Sequence, residues 1–365
     1  MVTLLKYTLA ATLAVGAANA SHNRQLRHVK KHAHHQVEKR GDGVQYADAP
    51  VATVYELDGK ILTPDEAKKG LAGGDFIVIA EPSEISGGGV SSEFPSGKIK
   101  CSEFPSQWGA VALNWLGFSG WSGLQFVPEY AAGASSISDI ITGIAGQSCT
   151  PGCMCSYACP VGFQKTQWPD AQGSTKQSIG GLYCNSEGYL ELTRSSSKTL
   201  CEPGEGGVSI QNDLDELVST CRTDYPGTES MVIPAVADPG ATVPLCNPDQ
   251  GSYYQWQNLG TSAQYYVNKK GVTPDKGCVW NSPDDHDSRG NWAPIICGVG
   301  KAADGITYLS IFQNLPTSNA KLDFNIEITG DVNSKCSYID GEWTGGDNGC
   351  TTGMQPGGKA IIRYF

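Results

Sequence analysis

Short runs in which apolar and polar residues alternate recur through the second half of the chain. In LDFNIEIT, Leu322, Phe324, Ile326 and Ile328 fall on one side, and Asp323, Asn325, Glu327 and Thr329 on the other. That is the period of a strand with one buried face. GYLELTR, SMVIPAV, SAQYYVN, ITYLSIF and KAIIRYF are similarly short, rich in β-branched and aromatic residues, and bounded by Gly, Pro, Asn and Asp clusters. The pattern predicts a mainly β protein, an antiparallel β-sandwich or barrel. Two stretches read as short amphipathic helices instead. In PSQWGAVALNWLG, Trp108, Val111, Ala112 and Trp115 recur at helical spacing, with Gly117 as the stop. In SIQNDLDELVSTC, Ile210, Leu214, Leu217, Val218 and Cys221 share a face, with Asp213, Asp215 and Glu216 turned to solvent.

Composition sharpens this picture. The 365 residues include 45 glycines, 20 prolines and 13 cysteines, which argues against a helical bundle. Every cysteine and all eight tryptophans lie between Cys101 and Cys350. Residues 1–20, with Lys6, an apolar run and Ala-Asn-Ala at 18–20, have the form of a secretory signal peptide. Residues 21–40 are basic and end in Lys39-Arg40, as a propeptide closed by a dibasic site would. Residues 41–95 read as a flexible or weakly structured arm, with a hairpin around Asp58-Gly59 and one short strand in DFIVIAEP. Residues 96–365 form the cysteine-rich domain, and no membrane span is expected once the signal is removed.

The formal net charge of −11 becomes −17 without residues 1–40, which carry seven bases and one acid. Such a surface suits neither nucleic acid nor anionic lipid and leaves neutral polysaccharide open. The same cut leaves His286 as the sole histidine, so chemistry falls mostly to carboxylates. Secretion implies an oxidising compartment and a framework of up to six disulfides with one thiol over. No metal or other cofactor is expected.

The stretch from Cys149 to Cys184 is the most specific feature. Its cysteines run Cys149, five residues, Cys155, three residues, Cys159, twenty-four residues, Cys184. This signature, with CRTDYPGTE, SAQYYVNKKGV and RGNWAPI further on, resembles the fungal SUN family of secreted cell-wall proteins. The resemblance covers roughly residues 96–365. It implies a wall-associated protein acting on β-1,3-glucan, grouped with glycoside hydrolase family 132, with roles in wall remodelling, septation and cell separation. It makes Cys153, an addition to the signature, the candidate odd thiol. The character of the chain is also thaumatin-like, by analogy alone.

Glycoside hydrolysis needs two carboxyl groups on either side of one glycosidic oxygen. Asp224 and Glu229 flank the turn Tyr225-Pro226-Gly227, with Arg222 nearby to orient a hydroxyl or hold one acid ionised. Asp284 and Asp285, in a run of like charges beside His286, Arg289 and Trp292, form a second group, and Asp170 after Trp168 a third. Trp168 is expected to stack on a pyranose or to pack the loop onto the sheet. Tyr254, Trp256 and Tyr265 add aromatics where strands meet loops, and Trp292 is a further substrate-binding candidate. Two functions remain open: hydrolysis or transglycosylation of β-1,3-glucan by an Asp/Glu pair, and non-catalytic glucan binding by the same acids and rings.

Overall fold

A computed structural model describes residues 88–365 throughout. Before them it describes only the backbone of strands at Ala10–Ala11, Val29–His34, Ala52–Leu57 and Lys60–Leu62. The hairpin expected around Asp58-Gly59 is there, with Leu57 opposite Lys60. The signal and propeptide boundaries and the DFIVIAEP strand lie outside the described residues.

Two regions follow one another. The first, to about residue 206, is a lobe of short strands. Its five-stranded sheet runs Leu190–Glu191, Leu182–Cys184, Cys153–Ser156, Gly123–Phe126, Ile141–Thr142, every pair antiparallel. A separate antiparallel pair joins Phe163–Lys165 to Cys201–Pro203. Three disulfides cross this lobe: Cys101–Cys184, Cys149–Cys155 and Cys159–Cys201. The four signature cysteines are therefore not a closed set, since Cys159 and Cys184 pair with cysteines outside it.

The second region holds two six-stranded sheets. One runs Thr242–Pro244, Val208–Asn212, Ala360–Tyr364, Ile326–Gly330, Cys336–Ile339, Glu342–Trp343. The other runs Ile233–Ala237, Val218–Arg222, Ala263–Val267, Ile295–Lys301, Thr307–Gln313, Gly349–Met354. Inward residues of both, among them Ile210, Ile326 and Ile362 from the first and Val267, Val299 and Ile311 from the second, form a single core. The alternation in 322–329 produces this: Leu322, Phe324, Ile326 and Ile328 are all buried. Thr220 and Tyr364 join their hydroxyls across the core at 2.9 Å, and Cys336–Cys350 ties one sheet to the other. All neighbours are antiparallel except Val208–Asn212, which runs parallel to the C-terminal strand Ala360–Tyr364.

Both expected helices are absent. Residues 209–221 form two strands in different sheets, separated by a turn in which Asn212 donates to the carbonyls of Glu216 and Ala237 and accepts from the Leu214 amide. The apolar spacing that mimicked a helix arises because Ile210 and Val218 face the same core from opposite sheets. Residues 105–117 make two single 3-10 turns, Ser106–Trp108 and Asn114–Leu116. Gly109, at φ +89°, breaks the path between them, and Val90 packs so close that no side chain fits there. The one α-helical turn among the described residues is Pro274–Gly277, tied to the sheet below by Cys221–Cys278. Five disulfides form instead of six. Cys246 and Cys297 join Cys153 as buried free thiols.

Candidate functional site

The strand Val218–Arg222 delivers Asp224 to the seam between the two regions. Asp224 is 0 % exposed, and its carboxylate is surrounded by groups from the lobe. Lys165 Nζ approaches Oδ1 at 2.6 Å, and the hydroxyls of Ser156 and Ser122 donate to the same oxygen at 2.8 and 3.1 Å. The Thr228 hydroxyl donates to Oδ2 at 3.0 Å, and Lys165 also donates to Ser156. Burial pushes the Lys165 ammonium below its ordinary value, and the Asp224 charge opposes that shift. The lobe strand must come very close here. A side chain at Gly123 would collide with Thr228 and lie 3.1 Å from Asp224. A buried ion pair satisfied on this many sides holds its two regions in register, and no polysaccharide can touch it.

Glu229 stands at the other end of the turn. It is exposed, held at φ +62°, and its Oε1 accepts the Ser178 amide at 3.2 Å. The turn thus separates the two acids, one inside and one outside. Arg222 does not reach Asp224: its guanidinium is buried and donates to the Phe163 carbonyl at 3.2 Å.

Beside Glu229 lies an aromatic cluster of Trp168, Tyr253 and Tyr254, with Tyr225 and Trp256 packed against it. Trp168 is 6 % exposed. Its ring meets Tyr253 and Tyr254 edge-on at 5.0 and 5.7 Å, and Arg194 covers a face at 4.2 Å. Of the two roles expected for Trp168, this geometry is that of packing. Tyr225 stands at 5.2 Å from Tyr254. Burial, then the neighbouring ring and the Glu229 charge, raise the Tyr225 hydroxyl pKa; burial and Glu229 raise that of Tyr254. The Tyr254 hydroxyl is buried without a hydrogen-bond partner, which is uncommon and marks a donor with capacity to spare. Trp256 is half-buried and donates its indole N–H to the Lys176 carbonyl at 2.8 Å. Asp170 is exposed two residues beyond Trp168, near Tyr130, whose ring lies 4.8 Å from that of Tyr183.

The remaining candidates sit elsewhere. Tyr265 faces the core, its hydroxyl bonded to the backbone of Cys246. Asp284 is paired with Lys276 at 3.1 Å and Asp285 with Arg289 at 3.9 Å, while the Asp285 side chain also caps the turn to Ser288. Trp292 is half-buried at the end of the 3-10 turn Gly290–Trp292. Lys165, Ser122 and Ser156 are partners of Asp224 that sequence reasoning misses. The one available signal is a lysine inside a cysteine-dense stretch, and it does not say which acid it meets.

The chain matches the family described as "Beta-glucosidase (SUN family)" over residues 96–352, and it belongs to that family. It is 50 % identical over 282 residues to "Secreted beta-glucosidase sun1" of Aspergillus fumigatus, an alignment covering 76 % of this chain and 66 % of that protein. It is 46 % identical over 287 residues to "Probable secreted beta-glucosidase" of Arthroderma benhamiae, covering 76 % and 62 %. "Beta-glucosidase-like protein NCA3, mitochondrial" of Saccharomyces cerevisiae is 42 % identical over 276 residues, covering 74 % and 76 %. The chain spans less than two thirds of the length of the first two relatives. No solved structure matches it. With relatives named as secreted and five disulfides that suit an oxidising compartment, the chain is a secreted protein.

Proposed function

We propose that this chain is a β-1,3-glucan-active glycosidase of the fungal wall, working in wall remodelling and cell separation, and that its substrate lies over the Tyr225, Tyr254 and Trp256 surface. The observation that carries this reading is the exposed Glu229 carboxylate fixed beside the half-buried rings of Tyr225 and Trp256. Rings that offer an edge or face to a pyranose, next to an exposed acid, suit a sugar chain and the cleavage of its glycosidic bond. Glu229 is the first acid of the pair and Asp170, exposed two residues beyond Trp168, the second. Asp224 acts differently. Neutralised by Lys165, it holds the turn that presents Glu229. The names of the relatives favour hydrolysis.

Non-catalytic glucan binding has an observation of its own, since Asp224, the other acid of the turn, is buried and engaged by Lys165, which leaves Glu229 alone on the turn's exposed side. A product assay on a defined β-1,3-gluco-oligosaccharide separates the two. Glu229→Gln should lower turnover about 100-fold or more with binding retained, and Asp170→Asn should act in the same direction. Intact oligosaccharide after prolonged incubation with the unaltered protein would leave binding as the function.

A further inference from the structure

The two six-stranded sheets leave a second feature far along the chain from Glu229. Between the loop after Gln313, the hairpin strands Cys336–Ile339 and Glu342–Trp343, and the residues before Gly349 lies an open cleft of about 460 Å³. Its walls are fixed from behind. The Gln313 amide donates to the Asn348 carbonyl at 2.8 Å, and the Gln313 side chain donates to the carbonyls of Ser318 and Ala320 at 3.2 and 2.8 Å. Cys336–Cys350 holds the hairpin to the strand that follows the 344–348 turn.

Of the polar side chains that line the cleft, those fixing contacts use only that of Gln313. Asn319, Lys321, Glu342, Asp347 and Asn348 are exposed, and among the described residues none of their side chains makes a hydrogen bond or ion pair. Acids elsewhere on these sheets behave otherwise: Asp213 and Glu327 share Arg363, and Asp249 takes Lys301. Trp343, half-buried, rests on Tyr338 with ring centroids 4.8 Å apart and borders the same space.

We infer that this cleft is a carbohydrate-binding site distinct from the Glu229 surface, taking a neutral glucosyl oligosaccharide between Trp343 and the unengaged side chains of Glu342, Asp347, Asn348 and Asn319. A pre-set wall carrying acids, amides and a base with free hydrogen-bonding capacity around one indole suits a polyhydroxylated ring. An apolar ligand would leave those groups unpaired and desolvated. Lys321 among the acids opposes a lone cation. The choice of β-1,3-glucan as the sugar rests on the proposed function; the cleft does not.

The test is hydrogen–deuterium exchange on the secreted chain with and without a β-1,3-linked glucose pentamer, read separately over 313–321 and 338–349 and over 168–178 and 225–256. Protection of the first pair of segments is expected, with affinity there falling about five- to tenfold in Asp347→Asn and in Trp343→Ala, and persisting in Glu229→Gln. Asp347 is exposed and unbonded, so its variant keeps the fold even if loss of Trp343 loosens the hairpin. Parallel arms use β-1,4- and β-1,6-linked glucose pentamers and a chitin pentamer. Protection of the cleft by one of these and not by the β-1,3 pentamer keeps the cleft and sinks the choice of glucan. Protection confined to 168–178 and 225–256, or none in 313–349 with any sugar, overturns the inference while leaving the Glu229 assay to decide its own question.

Discussion

The lobe before residue 206 and the paired sheets after it reach a fixed shape by different routes. Strands in the lobe's main sheet are two to four residues long, and three disulfides cross it. Strands in the paired sheets run to seven residues, and the two faces share one core. Where hydrophobic alternation persists, burial of one face supplies the stabilisation at roughly 25 cal/mol per Å². Where it fails, as in CTPGCMCSYACP, cross-links must restrict the unfolded chain. The seam at Asp224 belongs to both, with the acid coming from the sheets and its lysine from the lobe.

The sharpest way to break this contrast is to remove a cross-link from the lobe. Cys101→Ser with Cys184→Ser opens a loop of sequence separation 83, for which chain entropy gives a loss of about 4.5 kcal/mol. Unfolding followed by near-ultraviolet dichroism should show the lobe melting first and the sheets at their former temperature; a single shifted transition would mean that the two regions are one cooperative unit. Asp224→Ala probes the seam. It leaves Lys165 buried without its anion, a change of about 3–5 kcal/mol, and should lower both transitions together. Asp224→Asn combined with Lys165→Met should recover most of that loss. The smallest effect comes from acid. Burial raises the carboxyls of Asp249 and Asp285, but hydrogen bonds and the nearby Lys301 and Arg289 outweigh it and hold both below the ordinary aspartate value. Their folded-state depression contributes stability that is present above the unfolded aspartate value of about 4 and disappears as pH falls through the folded values. With both acids partly exposed, the change should stay under about 1 kcal/mol. Because both lie in the second region, acid titration of the melt should weaken the sheets before the lobe.

What can be read in advance follows the same division. The strand Ile326–Gly330 and its neighbours are legible, because a period of two has one physical cause. Residues 209–221 mislead, because residues facing one core from two sheets reproduce helical spacing over a short window. The turn between them is set by Asn212 contacts with Glu216 and Ala237, and the latter is distant in sequence. At the candidate site, Glu229 and its aromatic neighbours lie in recognisable turn and strand motifs. The enclosure of Asp224 depends on Ser122, Ser156 and Lys165, from three separate lobe segments, and no local pattern encodes that convergence. The cleft around Trp343 is equally hidden, because only the fold brings Asn319 and Lys321 to it.

The Cys101–Cys184 bridge has a consequence for how the protein is made. A secreted chain enters an oxidising lumen from its N-terminal end, so Cys101 arrives early and meets Cys149, Cys153, Cys155 and Cys159 before Cys184 is available. Any pair that Cys101 makes before Cys184 arrives has to be undone by thiol–disulfide exchange before the native bridge can form. Cys153, whose thiol burial pushes up to about 12 in the finished fold, is silenced as an attacker once the lobe closes over it. Completion of the fold thus closes the exchange route through this thiol.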